Sequence, residues 1–280
     1  MTDADSPWQR ILLATEHTAF DVGAERVGLA LAARGRLPLV AMVPLVSNPA
    51  LVAEAPELSA RVDEEAALRR TALLHMAASA GVPINVRVGS DADPWRAIVA
   101  GAADARADLV VIRRRGHRGF LARMMVGEMA ASVAAHAPCD VLMVPRAGEL
   151  WRGAVLAAVD DAPASLRVAA AAATVARAFA LPLQLVCVAA DASDAAAARA
   201  QEALRRAIDA LTRDGHAVEG RVRVGRALDE EIVAAATERG ADLIVVGRRG
   251  ASGALRRAVL GSTAQQVVGL AGCPVLVVKT

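Results

Sequence analysis

The sequence predicts an α/β protein of two tandem domains, each a five-stranded parallel sheet with helices on both faces. Two observations carry that expectation. The second half of the chain repeats the first, and within each half short apolar runs alternate with longer segments of helical periodicity. Asp108 to Val144 aligns without a gap on Asp242 to Val278, matching Asp108/Asp242, Arg114/Arg248, Gly116/Gly250, Gly119/Gly253, Gly127/Gly261 and Cys139/Cys273. A repeat of this length makes each half one folding unit of the same kind.

The elements follow in order. The opening run Ile11-Leu-Leu-Ala-Thr-Glu16 pairs with Val155-Leu-Ala-Ala-Val-Asp160, and Leu37-Pro-Leu39 with Leu181-Pro-Leu183. Val86-Arg-Val-Gly89 mirrors Val222-Arg-Val-Gly225. In the first half, helices are expected near 21–34, 57–80, 94–106 and 125–137. In the second, strands are expected over 155–160, 183–189, 217–224, 243–246 and 275–278, with helices over 164–180, 192–214, 228–239 and 262–271. Ala203, Leu204, Ile208 and Leu211 fall on one stripe of the second of these helices, with Arg205, Arg206 and Asp209 off it. Strands alternating with helices make a parallel sheet with right-handed crossovers. Pro145 has no N–H to give and ends the last strand of the first half. The boundary is set there, giving domains 1–148 and 149–280.

Composition narrows the function. At 280 residues the chain suits two domains, each able to bury its own core. Hydrophobic content is 55%, its excess largely alanine, and Arg or Asp interrupts every apolar run before it could span a bilayer. The acidic, polar start MTDADSPWQR is not a secretory signal, so a soluble cytoplasmic protein is expected, without membrane attachment. A net charge of +2 gives no case for nucleic-acid binding, and the absence of Tyr argues against a base-stacking surface. Cys139, Cys187 and Cys273 form no CxxC pair and read as buried apolar side chains. The five histidines show no metal-ligand spacing.

The chemistry concentrates in Gly247 to Thr263, GRRGASGALRRAVLGST. A buried strand runs into Gly247, a basic loop with Gly250 and Gly253 follows, and Gly261-Ser262-Thr263 opens a helix. Glycines let backbone N–H groups approach phosphate oxygens, and the start of a helix adds unpaired donors and a positive dipole end. The same glycines would serve simple turns, with Ser262 as an ordinary helix cap. Asp160, Val188, Gly225 and Gly247 all fall at the strand ends where such sheets bind ligands. Asp160 can accept from ribose hydroxyls or a base amine, or act only as a turn residue.

These residues resemble the universal stress protein family in its tandem-domain form. The family's phosphate motif, G-x2-G-x9-G-[S/T] before a closing (C)PVLVV strand, is similar to Gly247-Arg-Arg-Gly250, Gly261-Ser262 and Cys273-Pro-Val-Leu-Val-Val278. Val155-Leu-Ala-Ala-Val-Asp160 looks like its first strand and adenosine-contacting Asp. The resemblance covers both halves and implies Rossmann-like domains of the adenine nucleotide alpha hydrolase-like kind. It implies ATP as ligand, with Mg²⁺ allowed for through Asp160 and Asp161. Adenine and ribose contacts would come from Ala158, Val159, Asp160 and Val188. Phosphate contacts would come from Gly247, Gly250, Gly261, Ser262 and Thr263, with Val246 lining the pocket. Core packing alone would also explain the three valines. Two departures stand out: the segment from Gly250 to Gly261 is one residue longer than the family spacing, and Asp161 replaces a common Gly.

The first half departs further. Arg113 replaces the first glycine, Glu128 the hydroxyl residue and Glu16 the Asp. Carboxylates at the helix start repel phosphate, so that half is expected to have lost its nucleotide site. The expectation is a cytoplasmic stress-response regulator that binds ATP in its second half. The alternatives are a nucleotide-independent scaffold or a weak ATPase, although no Walker, SGGxDS or HIGH motif is present. By family resemblance the closing strands of the two halves are expected to pair as an intramolecular pseudo-dimer, with a homodimer also allowed. A protein partner is expected, but nothing in the sequence names it.

Overall fold

The protein is described from a computed structural model over residues 6–46, 56–114, 127–250 and 259–280. Arg115, Gly116, Arg118, Gly119, Gly253, Arg256 and Arg257 lie outside those residues, as does position 125, where the sequence predicts the start of a helix. The chain divides into two compact units, one drawn from residues before 151 and one built of Trp151–Thr280.

In the first unit β1 (Ile11–Ala14), β2 (Leu39–Val46), β3 (Ile84–Asp91), β4 (Leu109–Arg113) and β5 (Asp140–Val144) form a parallel sheet in the order β3-β2-β1-β4-β5. The helices between them are α1 (Val22–Gly35), α2 (Pro56–Ser79), α3 (Pro94–Asp104) and α4 (Glu128–His136). The second unit repeats the plan with β6 (Ala154–Ala158), β7 (Leu183–Ala189), β8 (Glu219–Val224), β9 (Ala241–Gly247) and β10 (Val275–Val278). Its parallel order is β10-β9-β6-β7-β8. Its helices are α5 (Ser165–Phe179), α6 (Asp194–Arg213), α7 (Leu228–Glu238) and α8 (Ser262–Leu270).

Two strands of the second unit show why helices must lie on both faces. Leu243 to Val246 of β9 and all of β10 are buried at successive positions, and successive side chains point to opposite faces. α5 packs on α6, and α7 packs on α8, as two separate helical pairs. On α6 the buried stripe is Ala196, Ala200, Ala203, Leu204, Ala207 and Leu211, with Ile208 half-buried at its margin. Ser193 caps this helix, accepting from the Ala196 N–H at 3.2 Å.

The repeated aspartate has a structural role in both units. Asp242 accepts N–H bonds from Arg152 (2.7 Å), Gly153 (2.9 Å) and Ala154 (3.3 Å), fixing the approach to β6 beside β9. Asp108 does the same for Gln9 (2.9 Å) and Arg10 (3.0 Å) before β1. One carboxylate thus supplies acceptors to a run of backbone N–H groups that the strand ladder does not reach.

Element ends differ modestly from the sequence expectation. β8 begins at Glu219 rather than 217, and β9 extends from Ala241 through Gly247. β6 stops at Ala158, leaving Val159 and Asp160 beyond the strand. Cys139 and Cys187 are buried as expected, whereas Cys273 is only half-buried.

Candidate functional site

In the second unit the sheet order reverses between β6 and β9. From β6 the chain steps outward to β7 and β8, then returns to the other side at β9 and β10. The carboxyl ends of β6 and β9 therefore diverge into loops that leave a crevice, the usual ligand position of an open α/β sheet. A cavity of about 440 Å³ occupies it. That is within the range of small-molecule and cofactor sites.

All ten residues singled out in the sequence line this cavity: Ala158, Val159, Asp160, Val188, Val246, Gly247, Gly250, Gly261, Ser262 and Thr263. The chain brings them together from the ends of β6, β7 and β9, the loop after β9 and the start of α8. β6 ends in Ala158 and delivers Val159 and Asp160. β7 contributes Val188, β9 contributes Val246 and Gly247, the loop after it Gly250, and the start of α8 Gly261, Ser262 and Thr263.

Where α8 begins, the lining is built from backbone. Gly261 is the N-cap of α8, and its N–H donates to the Arg248 carbonyl at 2.9 Å. The first bond of the helix runs from the Gln265 N–H to the Gly261 carbonyl, also at 2.9 Å. The N–H groups of Ser262, Thr263 and Ala264 thus precede any helical acceptor and face the cavity end of the dipole. The sequence left Ser262 open as a cap. The structure places it one residue inside the helix, with no side-chain cap bond. Glycine at the cap lets the basic loop lie close: a Cβ on Gly261 would sit 3.2 Å from the Arg248 carbonyl oxygen. On Gly250 it would sit 2.8 Å from Asp160 Oδ2, closer than a real Cβ tolerates.

Val186, Val188, Leu228 and Ile232 add apolar side chains to the lining. Asp160 also lines the cavity, and its Oδ1 accepts from the Ala162 N–H at 3.0 Å and from the Ser165 hydroxyl. The turn role and the site-lining position of Asp160 are thus both realised. Arg249 brings a cationic side chain to the lining. The buried thiol of Cys187 on β7 is pushed up to about 11, first by desolvation and then by the charges of Asp160 and Asp161. It is a packed apolar group at neutral pH. Among the described residues no cluster of three or more His, Cys, Asp or Glu side chains is present.

Sequence reasoning missed Ser165, Leu228, Ile232 and Arg249 as lining residues. Ser165 carried a readable signal, a small polar residue at the start of a helix that follows the first strand. Leu228 and Ile232 on α7 carried none, because only the packing of α7 brings them to the crevice.

At the matching place in the first unit the geometry is different. Arg113 ends β4 opposite Val144, as Gly247 ends β9 opposite Val278. Its guanidinium donates to Glu16 Oε2 (2.7 Å), Asp21 Oδ2 (3.1 Å) and Thr18 Oγ1 (3.0 Å). Its side chain is 7% exposed, and that of Asp21 only 1%. Glu25, also buried, accepts from the Thr15 hydroxyl at 2.7 Å and lies 2.9 Å from His17 Nδ1. Glu128 opens α4 where Ser262 opens α8.

A doubled open sheet, with a glycine-lined crevice at the switch point of one copy, defines a tandem α/β protein of the Rossmann-like kind. The universal stress protein family model matches residues 7–145 and again 152–279, and the chain belongs to that family in its tandem form. The structure is similar to that of a universal stress protein from Archaeoglobus fulgidus DSM 4304, with a TM-score of 0.71 at 18% identity over 99% of this chain and 98% of that one. It is also similar to a functionally unknown protein from Pseudomonas aeruginosa PAO1, with a TM-score of 0.64 at 20% identity over 99% and 95% of the two chains. A universal stress protein from Archaeoglobus fulgidus solved in complex with dAMP matches 46% of this chain and 100% of its own, at 26% identity and a TM-score of 0.40. Among curated proteins none matches. No helix among the described residues is long and apolar enough to cross a membrane.

Proposed function

We propose that the chain binds ATP in its second unit and acts as a ligand-reporting regulator of the stress response, while its first unit is independent of nucleotide. The observation that carries this reading is the pairing, in one cavity, of helix N-terminal N–H groups at Ser262, Thr263 and Ala264 with an apolar recess at Val186 and Ile232. A polyanion suits the amides, and a flat, weakly polar base suits the apolar side chains. Lacking a Cβ, Gly250 and Gly261 let Asp160 and the Arg248 carbonyl pack close beside the cavity, and the helix-start amides there suit a nucleotide's phosphates.

Asp160 would accept from a ribose hydroxyl or base amine, and Arg249 would offset phosphate charge. A Mg²⁺ ion, if carried with the nucleotide, would be held mainly by phosphate oxygens and water, with Asp160 and the exposed Asp161 as the nearby carboxylates. Binding and its report to a protein partner suffice for the proposed role, through a shift between populated states. Cytoplasmic action and use of the tandem units as an intramolecular pseudo-dimer belong to the same proposal.

A nucleotide-independent role is favoured for the first unit by one specific observation, the internal cation at Arg113. Titrating ATP into the purified chain by calorimetry tests the whole reading. Saturation at about one equivalent per chain is expected on this one-site reading. Absence of saturable binding would reduce the protein to an adaptor.

A further inference from the structure

The first turn of α8 uses its backbone donors in order. The N–H groups of Ser262, Thr263 and Ala264 precede any helical acceptor, whereas that of Gln265 donates to the Gly261 carbonyl at 2.9 Å. From Gln265 onward the helix can offer the cavity a donor only through a side chain. Half-buried Gln265 lines the cavity, and its neighbour Gln266 does not. Gln265 lies one turn past Gly261, about 6 Å along the axis. Side chains on a helix lean toward its N-terminus. That lean carries the Gln265 amide back toward the N–H groups that open the helix.

The residue type fits the place. A carboxamide presents N–H donors without adding charge, whereas an ionised carboxylate can only accept. α8 has no acidic residue in its first turn. The first unit supplies an internal comparison. In the gapless repeat Ala131 stands where Gln265 stands, and Glu128 opens α4. The unit that places Arg113 at its strand end therefore has no amide at the matching position.

We propose that Gln265 is a specificity-determining residue that donates a side-chain N–H to a phosphate oxygen of the bound nucleotide. It extends the row of backbone donors at Ser262, Thr263 and Ala264. The inference rests on nucleotide binding in this cavity and adds the side chain that reads the phosphate chain.

The test is calorimetric ATP affinity of three variants, with thermal unfolding of each ligand-free protein alongside. Gln265→Ala is expected to weaken ATP about tenfold, the loss of one hydrogen bond to a charged group. Gln265→Glu should weaken it about 100-fold, since it removes the donor and sets a negative charge against the phosphates. The same charge favours the start of α8, so ligand-free Gln265→Glu should unfold no earlier than wild type. Those opposite signs separate a ligand contact from a structural role. Gln266→Glu adds the charge beside the lining and should stay within about threefold of wild type. Adenosine, which has no phosphate, should bind Gln265→Glu as it binds wild type. Gln265→Glu that holds ATP like wild type, equal losses in Gln265→Glu and Gln266→Glu, or an equal loss for adenosine would overturn the proposal. So would weakened binding accompanied by earlier unfolding of ligand-free Gln265→Glu. If wild type itself does not saturate with ATP, the functional reading fails first. Saturation of wild type with unchanged Gln265 variants sinks this proposal alone.

Discussion

Gly250→Asp is expected to weaken ATP binding by at least 100-fold, about 2.7 kcal/mol. Three effects act in the same direction. The new Cβ would lie 2.8 Å from Asp160 Oδ2, so either the loop or Asp160 must move. The added carboxylate would face Asp160 across a short gap, repelling it. It would also place a negative charge beside the Ser262–Ala264 amides, where the triphosphate is to sit. Since Gly250 is exposed at the mouth of the cavity, the fold can absorb the change by moving the loop outward. Calorimetric titration together with circular dichroism separates lost binding from lost folding. Retained affinity in a folded variant would remove the loop from the site.

Arg113→Ala is expected to destabilise the first unit by about 3 kcal/mol. Arg113 and Asp21 are almost fully buried, and Glu16 is partly so. Removing the guanidinium leaves two carboxylates facing each other without their shared cation, and uncompensated buried charge is costly. Urea unfolding followed by near-UV signals reads the loss. Replacing Glu16, Asp21 and Arg113 together by Gln, Asn and Met should restore most of it, because a neutral, volume-matched set carries no desolvation penalty for buried charge. An Arg113→Ala variant as stable as wild type would mean that the network contributes nothing to the stability of the first unit.

These two expectations describe one contrast. Where the second unit leaves Gly247 and opens a cavity, the first supplies Arg113 and its own counter-ions. The three-way exchange of Gly247, Asp160 and Ser165 for Arg113, Glu16 and Asp21 is chemically consistent. It replaces a space for an external ligand by an internal ion network. Arg113 can only be buried because Glu16 and Asp21 came with it.

Much of this was legible in the sequence for a physical reason. Parallel strands buried on both faces appear as short uninterrupted apolar runs, and an unbroken repeat reports the same element twice. β7 and β10 therefore emerged with their observed ends. β8 was less well bounded because its exposed edge-strand residues, Glu219 and Arg221 among them, lack that apolar run. The glycines and Asp160 stood out because their chemistry is local. Leu228 and Ile232 did not, since nothing distinguishes a residue lining a recess from one facing a helix until α7 is placed. The part played by Ser262 turned likewise on backbone detail. Gly261 holds the cap of α8, and the Gln265 N–H closes the first turn on the Gly261 carbonyl, which leaves the Ser262 hydroxyl outside the capping role.

The central claim is that backbone amides around residues 247–263 receive a triphosphate that the matching place beside Arg113 excludes. A crystal structure of the chain grown with ATP tests it most directly. Triphosphate density is expected against the Ser262, Thr263 and Ala264 N–H groups, with Arg113 still bound to Glu16 and Asp21. Nucleotide density beside Arg113, with the second unit's cavity holding only water, would contradict it.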